Sequence, residues 1–423
     1  MPKPAFLLSA LLILACAPCA LPCAAMAADD TRPTLERVVL IARHGIRSPT
    51  RSITDLDART HRIWPAWPVP PGEISAHGRD DLKLMAAALG QHYRHEGLLP
   101  RQGCTPLMIN VWADSAAHRT MESGAIMGHA IAPDCPVPGA SLPAGTHDPL
   151  FNSLPDPVSP SLQAAIMTDL RMAIAHDRTT RPADVDRASG VLQAVINPDG
   201  CEAGGPCFTT PDGATWQKNA PRLTGGLQDA AEMAEDMLLE YAQGLPVSAI
   251  VWGHDTPRRI IDAVMPAHNH ASRLLRRMPV FAFARGHGLA RMITSLVSTH
   301  AAILPDGSPV AAATRMIVFA GHDTTLDMLA AIFGLDWSFP DLPDPTGPDT
   351  TLGFETWRMP NGTRRVRAVI FHQGLEALRK GQAITAQPDI LPMTACHAGQ
   401  DGRCSLDDFS RIFNARLDAA RIR

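Results

Sequence analysis

The sequence has no surplus of positive charge: 38 Lys and Arg stand against 42 Asp and Glu in 423 residues, a formal net charge of −4. That excludes a general nucleic-acid binder, whose phosphate contacts need a basic excess. Beyond the first thirty residues the chain also lacks any apolar run near the roughly 20 residues that a membrane span needs. No internal repeat is evident and the 38 prolines follow no short period, so collagenous, coiled-coil and disordered classes are excluded and many ordered loops are expected. A CxxC pair is missing, which argues against zinc and dithiol-redox readings. Lysine is scarce, four against 34 arginines, a bias attributed to codon usage. What remains is 45% hydrophobic, long enough for a large core and two or three domains.

The first 27 residues read as a secretory signal. Lys3 gives a short basic start, Phe6 to Leu14 an apolar run, and Ala25-Met26-Ala27 the small residues of a cleavage site, with the cut after Ala27. Ile13-Leu14-Ala15-Cys16 is an imperfect lipobox and a lesser alternative. Without the leader, 37 basic and 42 acidic residues leave a net charge of −5. Three of nine cysteines lie in the leader, and the six that remain are an even number with 15 possible connectivities. Cys201/Cys207 and Cys396/Cys404 are close neighbours in Gly-containing segments, which favours local bridges. The compartment implied is periplasmic or secreted.

Strand-type apolar runs occur at Val38 to Ala42, Leu107 to Trp112, Met316 to Ala320 and Val366 to Phe371. Their shortness and β-branched content suit buried parallel strands. The first three end in polar clusters, Arg43-His44-Gly45, Asp114-Ser115 and Gly321-His322-Asp323. Ligands of open α/β sheets bind at the carboxyl ends of strands, so these clusters are candidates for one shared site. Helical spacing links Leu82, Met85, Leu89 and Tyr93, then Leu162, Ile166, Leu170 and Ala173, then Leu227, Ala231, Ala234, Leu238 and Tyr241. The pattern predicts an α/β domain from 28–150 and 311–423, with a mostly helical domain, 151–310, inserted between its halves. The segment Trp337 to Asp349 reads as a surface loop. Trp64 and Trp67 read as loop-packing residues, and His92, His95, His129, His268 and His270 as solvated or packed.

Arg43-His44-Gly45-Ile46-Arg47-Ser48-Pro49-Thr50 carries the most chemical information. Guanidinium forks match phosphate oxygens and cannot lose their charge. An imidazole between two cations has its pKa pushed down, which keeps a nitrogen lone pair free for attack. The stretch therefore reads as a nucleophile inside a phosphate pocket. With it, and with Ala320-Gly321-His322-Asp323-Thr324-Thr325 downstream, the sequence resembles the histidine acid phosphatases of the histidine phosphatase superfamily, whose secreted members include bacterial phytases. Trp64-Pro65-Ala66-Trp67-Pro68-Val69, Ala132-Pro133-Asp134-Cys135 and Asp148-Pro149-Leu150-Phe151-Asn152 are similar to stretches of enterobacterial phytases.

The resemblance implies a phosphoglycerate-mutase-like mixed sheet flanked by helices. It implies His44 as nucleophile, Arg43, Arg47 and Arg119 as phosphate ligands with Thr50 assisting, His322 as a further donor and Asp323 as the acid for the leaving alkoxide. It also implies a third disulfide, Cys104–Cys135. No metal or other cofactor is required, since four cationic or donor groups can supply the charge neutralisation of phosphoryl transfer. The partner expected is a small phosphomonoester. Phytate is the first choice because Arg51, Arg59 and Arg62 follow the motif, with glucose 1-phosphate or a broad substrate range as the alternative. A mutase or a non-catalytic phosphate binder is disfavoured by the secretion signal and by the intact His44 and Asp323. Two echoes compete with these assignments: Gly253-His254-Asp255-Thr256 repeats the downstream tetrad, and Asp114-Ser115-Ala116-Ala117 resembles the nucleophile stretch of metal-dependent alkaline phosphatases. The oligomeric state is left open.

Overall fold

A computed structural model describes Met1 and residues 32–420, apart from 104–106, 135–136, 255, 300, 385, 397–398 and 400. The proposed leader, the Cys104–Cys135 bridge and Asp255 thus fall outside the described residues. The other two expected bridges, Cys201–Cys207 and Cys396–Cys404, are formed.

The amino-terminal part contains β1 (Thr34–Arg43), α1 (Ile53–Thr60), α2 (Ala76–His95), β2 (Ile109–Ala113) and α3 (His118–Ile131). Seven successive residues of β1, Leu40 among them, are buried, as suits a central strand covered on both faces. Helix α2 starts where Ser75 Oγ accepts the Gly78 N–H at 2.9 Å, and it buries Leu82, Met85, Leu89 and Tyr93 on one face. The middle part contains α4 (Pro160–Thr180), α5 (Ala183–Ile196), β3 (Gly213–Gln217), β4 (Ala220–Thr224), α6 (Gly226–Ala242), α7 (Pro257–Arg276) and α8 (Pro279–Ser298). Strands β3 and β4 form their own antiparallel pair. The last part contains β5 (Met316–Gly321), α9 (Asp323–Phe333), β6 (Thr351–Arg358), β7 (Arg364–Phe371), α10 (Leu375–Lys380), β8 (Asp389–Leu391), β9 (Arg403–Ser405) and α11 (Leu406–Ala419).

The main sheet runs β2-β5-β1-β6-β7-β8, with β9 also on β7. Strands β2, β5 and β1 are parallel, and β6 turns the sheet antiparallel. The mixed α/β class expected from the sequence is the one observed. One strand differs in direction from its expected group: Val366–Phe371 pairs antiparallel with β6. The cause is local, because a tight turn closed by Met359 N–H to Thr363 O at 2.8 Å makes β6 and β7 a hairpin. One apolar cluster joins Val39 and Phe319 of the sheet to Leu170, Leu238 and Ile293 of the middle helices.

The segment 337–349 corrects the surface-loop expectation. It has no regular element, yet Trp337, Leu342, Asp344 and Asp349 are buried. Internal hydrogen bonds hold part of it: Asp344 Oδ1 accepts the Thr346 N–H at 2.9 Å and Trp337 Nε1 donates to Pro345 O at 2.6 Å. A Pro- and Asp-rich composition marks irregular backbone, not exposure.

Candidate active site

Three parallel strands end side by side. In register, Arg43 of β1 lies opposite Gly321 of β5, and Ala113 of β2 opposite Ala320. The ladder continues one step past the strands, with His44 N–H donating to Gly321 O at 3.1 Å and Asp114 N–H to Ala320 O at 3.0 Å. Arg43-His44, Asp114 and His322-Asp323 are thereby brought to one carboxyl edge, as the sequence predicts. Behind them the chain after His44 presses on the start of α2. A Cβ at Gly45 would lie 2.7 Å from Gly78 O, and one at Gly78 only 2.2 Å from Ile46 O. Glycine at both positions permits this approach. Residues 46–49 then pair with 70–75, through Ser48 N–H to Glu73 O at 3.1 Å and Ser75 N–H to Ile46 O at 3.1 Å.

His44 is buried. Its Nδ1 lies 2.9 Å from the carbonyl of Gly45 and can only donate to it, so the neutral ring carries its proton there and leaves the Nε2 lone pair free. Burial, then Arg119, Arg43, His322 and Arg47, holds the His44 pKa well below the ordinary imidazole value. The ring of His322 stands edge-on to it with centroids 5.5 Å apart. His322 Nε2 is 3.1 Å from Asp114 Oδ2, and burial lowers its pKa despite that carboxylate.

Arg43 is fully buried and held on two sides, by Asp344 at 2.9 Å and Glu235 at 2.7 Å. Arg47 reaches the same Glu235 oxygen at 3.1 Å. Burial pushes the Glu235 carboxyl up, but Arg47 and Arg43 outweigh it and hold the pKa down at about 2. Asp323, at the first turn of α9, accepts from Arg276 Nη1 at 2.6 Å. Burial alone would raise its pKa, and Arg276, Arg43, Arg47 and His44 together bring it well below the usual carboxylate range. Arg119, at the start of α3, is half-buried and has its pKa lowered by burial and then by Arg47. Thr50 is exposed at the rim, where its methyl and Arg119 Nη1 both flank Gly72.

Three contributors were not foreseen: Glu235 on α6, Arg276 at the end of α7 and Asp344 in the irregular segment. Glu235 left a weak trace, an acidic residue beside the apolar stripe of α6. Arg276 left none among 34 arginines. The two echoes differ from the sequence motifs they mimic. Ser115 is fully buried and donates its hydroxyl to Thr146 O at 2.9 Å, so its proton is engaged by a carbonyl.

Beside these residues lies a cleft of about 620 Å³ whose walls include Arg51, Arg59, Arg222, Arg285, Asp229 and Glu232. Arg51 makes a two-pronged pair with Glu232 at 2.7 and 3.1 Å. Arg59 pairs with Asp229, and Arg62 stacks on Trp252 at 4.7 Å. The arginines expected to meet several phosphates are therefore largely engaged by protein groups. Among the described residues, Glu73, His118 and Glu122 have donor atoms within 4.8 Å of one another. His118 Nδ1 is bonded to Glu73 at 2.8 Å and Arg79 pairs with Glu122, so this set is already satisfied internally. No described helix is long and apolar enough to cross a membrane.

Comparison with known proteins agrees with the geometry. Residues 34–168 match the family model of the histidine phosphatase superfamily, branch 2. The chain is 28% identical over 421 residues to phytase AppA of Escherichia coli, covering 95% of this chain and 96% of that protein. It is 24% identical to a glucose-1-phosphatase of Salmonella typhimurium, covering 90% and 92%. Among solved structures, Hafnia alvei phytase superposes with a TM-score of 0.81 at 27% identity, covering 92% of this chain and 98% of that one. The phytase of Citrobacter braakii gives 0.81 at 27% identity, covering 90% and 98%. The chain thus resembles the histidine phosphatase superfamily, branch 2, over residues 34–168, and bacterial phytases over most of its length.

Proposed function

We propose that this protein hydrolyses phosphomonoesters at acidic pH through a phosphohistidine on His44, with phytate as its first substrate and no metal in the mechanism. The observation that carries the reading is a buried imidazole whose Nδ1 is spent on the Gly45 carbonyl in surroundings that hold Arg119, Arg43 and Arg47. In the first half-reaction a bond forms from Nε2 to phosphorus while the P–O bond to the alcohol breaks, and Asp323 gives its proton to the departing oxygen. In the second, the Asp323 carboxylate takes a proton from water, water oxygen bonds to phosphorus, the P–N bond breaks and inorganic phosphate leaves. Arg43, Arg47 and Arg119 neutralise the transferring group, which is the main demand of phosphoryl transfer. Thr50 assists from the rim. His322 keeps one N–H on Asp114 and offers a second only as imidazolium, a form favoured once a phosphate dianion sits beside it.

The lowered His44 pKa keeps the nucleophile active in acid, and Asp323 loses its proton as pH rises, so activity peaks below neutrality. Residues 28–150 and 311–423 form the catalytic part and 151–310 the inserted part, whose α6 and α7 supply Glu235 and Arg276. The leader places the mature protein in the periplasm or outside the cell.

A sugar phosphate is the second reading. Glu232 and Asp229 in the cleft suit hydroxyl groups better than additional phosphates, and glucose-1-phosphatases are among the relatives. Initial rates at pH 4–5 decide: phytate should exceed glucose 1-phosphate and 4-nitrophenyl phosphate in kcat/KM. A large margin the other way would remove phytate and retain acid phosphatase.

A further inference from the structure

Asp323 poses a chemical difficulty. A general acid must hold a proton when the leaving group departs, yet this carboxylate is gripped by a guanidinium at 2.6 Å. Groups from every surrounding element face it: Arg43, His44 and Arg47 after β1, Arg119 on α3, Glu235 on α6, Arg276 on α7, Arg285 on α8, and His322 and Thr324 beside it. The reacting phosphate offsets Arg43, Arg47 and Arg119 for any substrate alike. Arg276 differs because it touches Asp323 directly and also lines the neighbouring cleft.

Its placement allows it to leave. Arg276 is the last residue of α7, and its side chain is 21% exposed. Its second carboxylate neighbour, Asp327 at 3.6 Å, is independently held by Arg277 at 2.8 Å. Withdrawing Arg276 breaks its hydrogen bond to Asp323 alone, since Asp327 keeps Arg277 on its other oxygen, and Asp323 can then take a proton from acidic solvent.

We propose that Arg276 is a positioning residue that acts as a phosphate-operated latch: a second phosphate of a polyphosphorylated substrate, seated in the cleft, draws its guanidinium off Asp323 and frees that carboxyl to carry the proton. A phosphate group, with three acceptor oxygens against a carboxylate's two, competes with one carboxylate for a guanidinium fork. A substrate with one phosphate leaves the latch closed and is turned over more slowly when its leaving group is a basic alkoxide. The inference rests on the phosphohistidine reading above and adds to it a physical reason for preferring substrates with several phosphates.

The test compares pH profiles of kcat for phytate, glycerol 2-phosphate and 4-nitrophenyl phosphate in wild type, Arg276→Gln, Arg276→Lys and Asp323→Asn. In wild type the alkaline limb for phytate should lie about one pH unit above that for glycerol 2-phosphate. Arg276→Gln should raise glycerol 2-phosphate turnover at pH 5 about 5- to 10-fold and bring the two limbs together, with phytate KM increased and 4-nitrophenyl phosphate changed by less than about twofold. Arg276→Lys keeps the charge and should preserve the separation of the limbs, which also covers failure of the Gln variant to fold. Limbs that coincide in wild type, or stay apart in a folded Arg276→Gln protein, overturn the latch. If that happens while Asp323→Asn still cripples alkoxide substrates, the phosphohistidine reading stands alone. If Asp323→Asn leaves glycerol 2-phosphate turnover intact, the acid role and the latch fall together.

Discussion

Gly253-His254-Asp255-Thr256 and Gly321-His322-Asp323-Thr324 are the same four residues in the same order, placed in different surroundings. The second tetrad leaves the buried strand β5, whose neighbours β1 and β2 bring His44 and Asp114 to within reach, and its His322 N–H caps the start of α9 through Thr325 Oγ1 at 3.2 Å. The first follows a short 3-10 turn over Ile250–Gly253, in which Val251, Trp252 and Gly253 all have positive φ. His254 is exposed, and Trp252 spends its indole N–H on Ile63 O at 2.8 Å. With Val251 and Trp252 in the left-handed region, the apolar residues before the tetrad turn instead of continuing as a strand into the sheet. A motif acquires chemistry from the strand end that carries it.

Carboxylates repeat the contrast. Asp323 and Glu235 face arginines and are held ionised. Asp236, Glu240 and Asp349 are buried without adequate cationic partners and have pKa values well above the ordinary range, with burial the main cause. Asp81, at the back of the site, is pushed up to about 7 by burial and then by Asp80. Its neighbour His77 has its Nε2 3.1 Å from Asp81 Oδ2, but the same nitrogen also lies 2.7 and 3.1 Å from the carbonyls of Leu378 and Ala242, so one N–H is shared among three acceptors.

The largest effect should separate the twin tetrads. Asp323→Asn should lower kcat for alkoxide-leaving substrates by about 10²- to 10⁴-fold, with a much smaller loss for 4-nitrophenyl phosphate, and Asp255→Asn should stay within about twofold of wild type. Equal losses at both positions would dissolve the contrast. At the preceding position, His322→Ala should cost about 10- to 100-fold in kcat/KM and His254→Ala nothing measurable. Asp114→Asn should show about a tenfold loss, since His322 then lacks the carboxylate that supports its protonated form.

The smallest effect concerns stability. Asp81 has a folded pKa raised above its unfolded value, so the stabilisation from its protonated form is complete below about 4 and is lost as pH rises through about 7. Asp81→Asn should melt within about 1 °C of wild type at pH 3.5 and about 3 °C above it at pH 8. A difference in Tm that ignores pH would show that burial does not control this carboxyl.

Much of the site was legible because it is made by strand ends. Arg43, His44, Asp114, His322 and Asp323 each follow an apolar run directly, and parallel pairing converts that sequence position into spatial proximity. Arg119 was legible only through family likeness, since it sits one turn into the next helix. Glu235, Arg276 and Asp344 approach from α6, α7 and an irregular segment. No local pattern announces which face of a helix end or coil will meet a site assembled elsewhere. Strand β6 was missed for a related reason: it carries Glu355 at a buried position, where the partner that makes it tolerable, Arg367 at 2.6 Å, lies on the next strand. Arg51 and Arg59 do line the cleft, but the acidic residues 170 or more positions away that come back to pair with them leave no local pattern.

The central claim, that His44 is the nucleophile, is tested most directly by acid-free rapid denaturation during turnover followed by peptide mapping of the phosphorylated protein. An acid-labile, base-stable phosphoryl group should appear on His44 within the first turnover and be absent from a folded His44→Ala variant, which should also be inactive. A phosphoryl group on Ser115, or turnover that survives His44→Ala, would contradict the account.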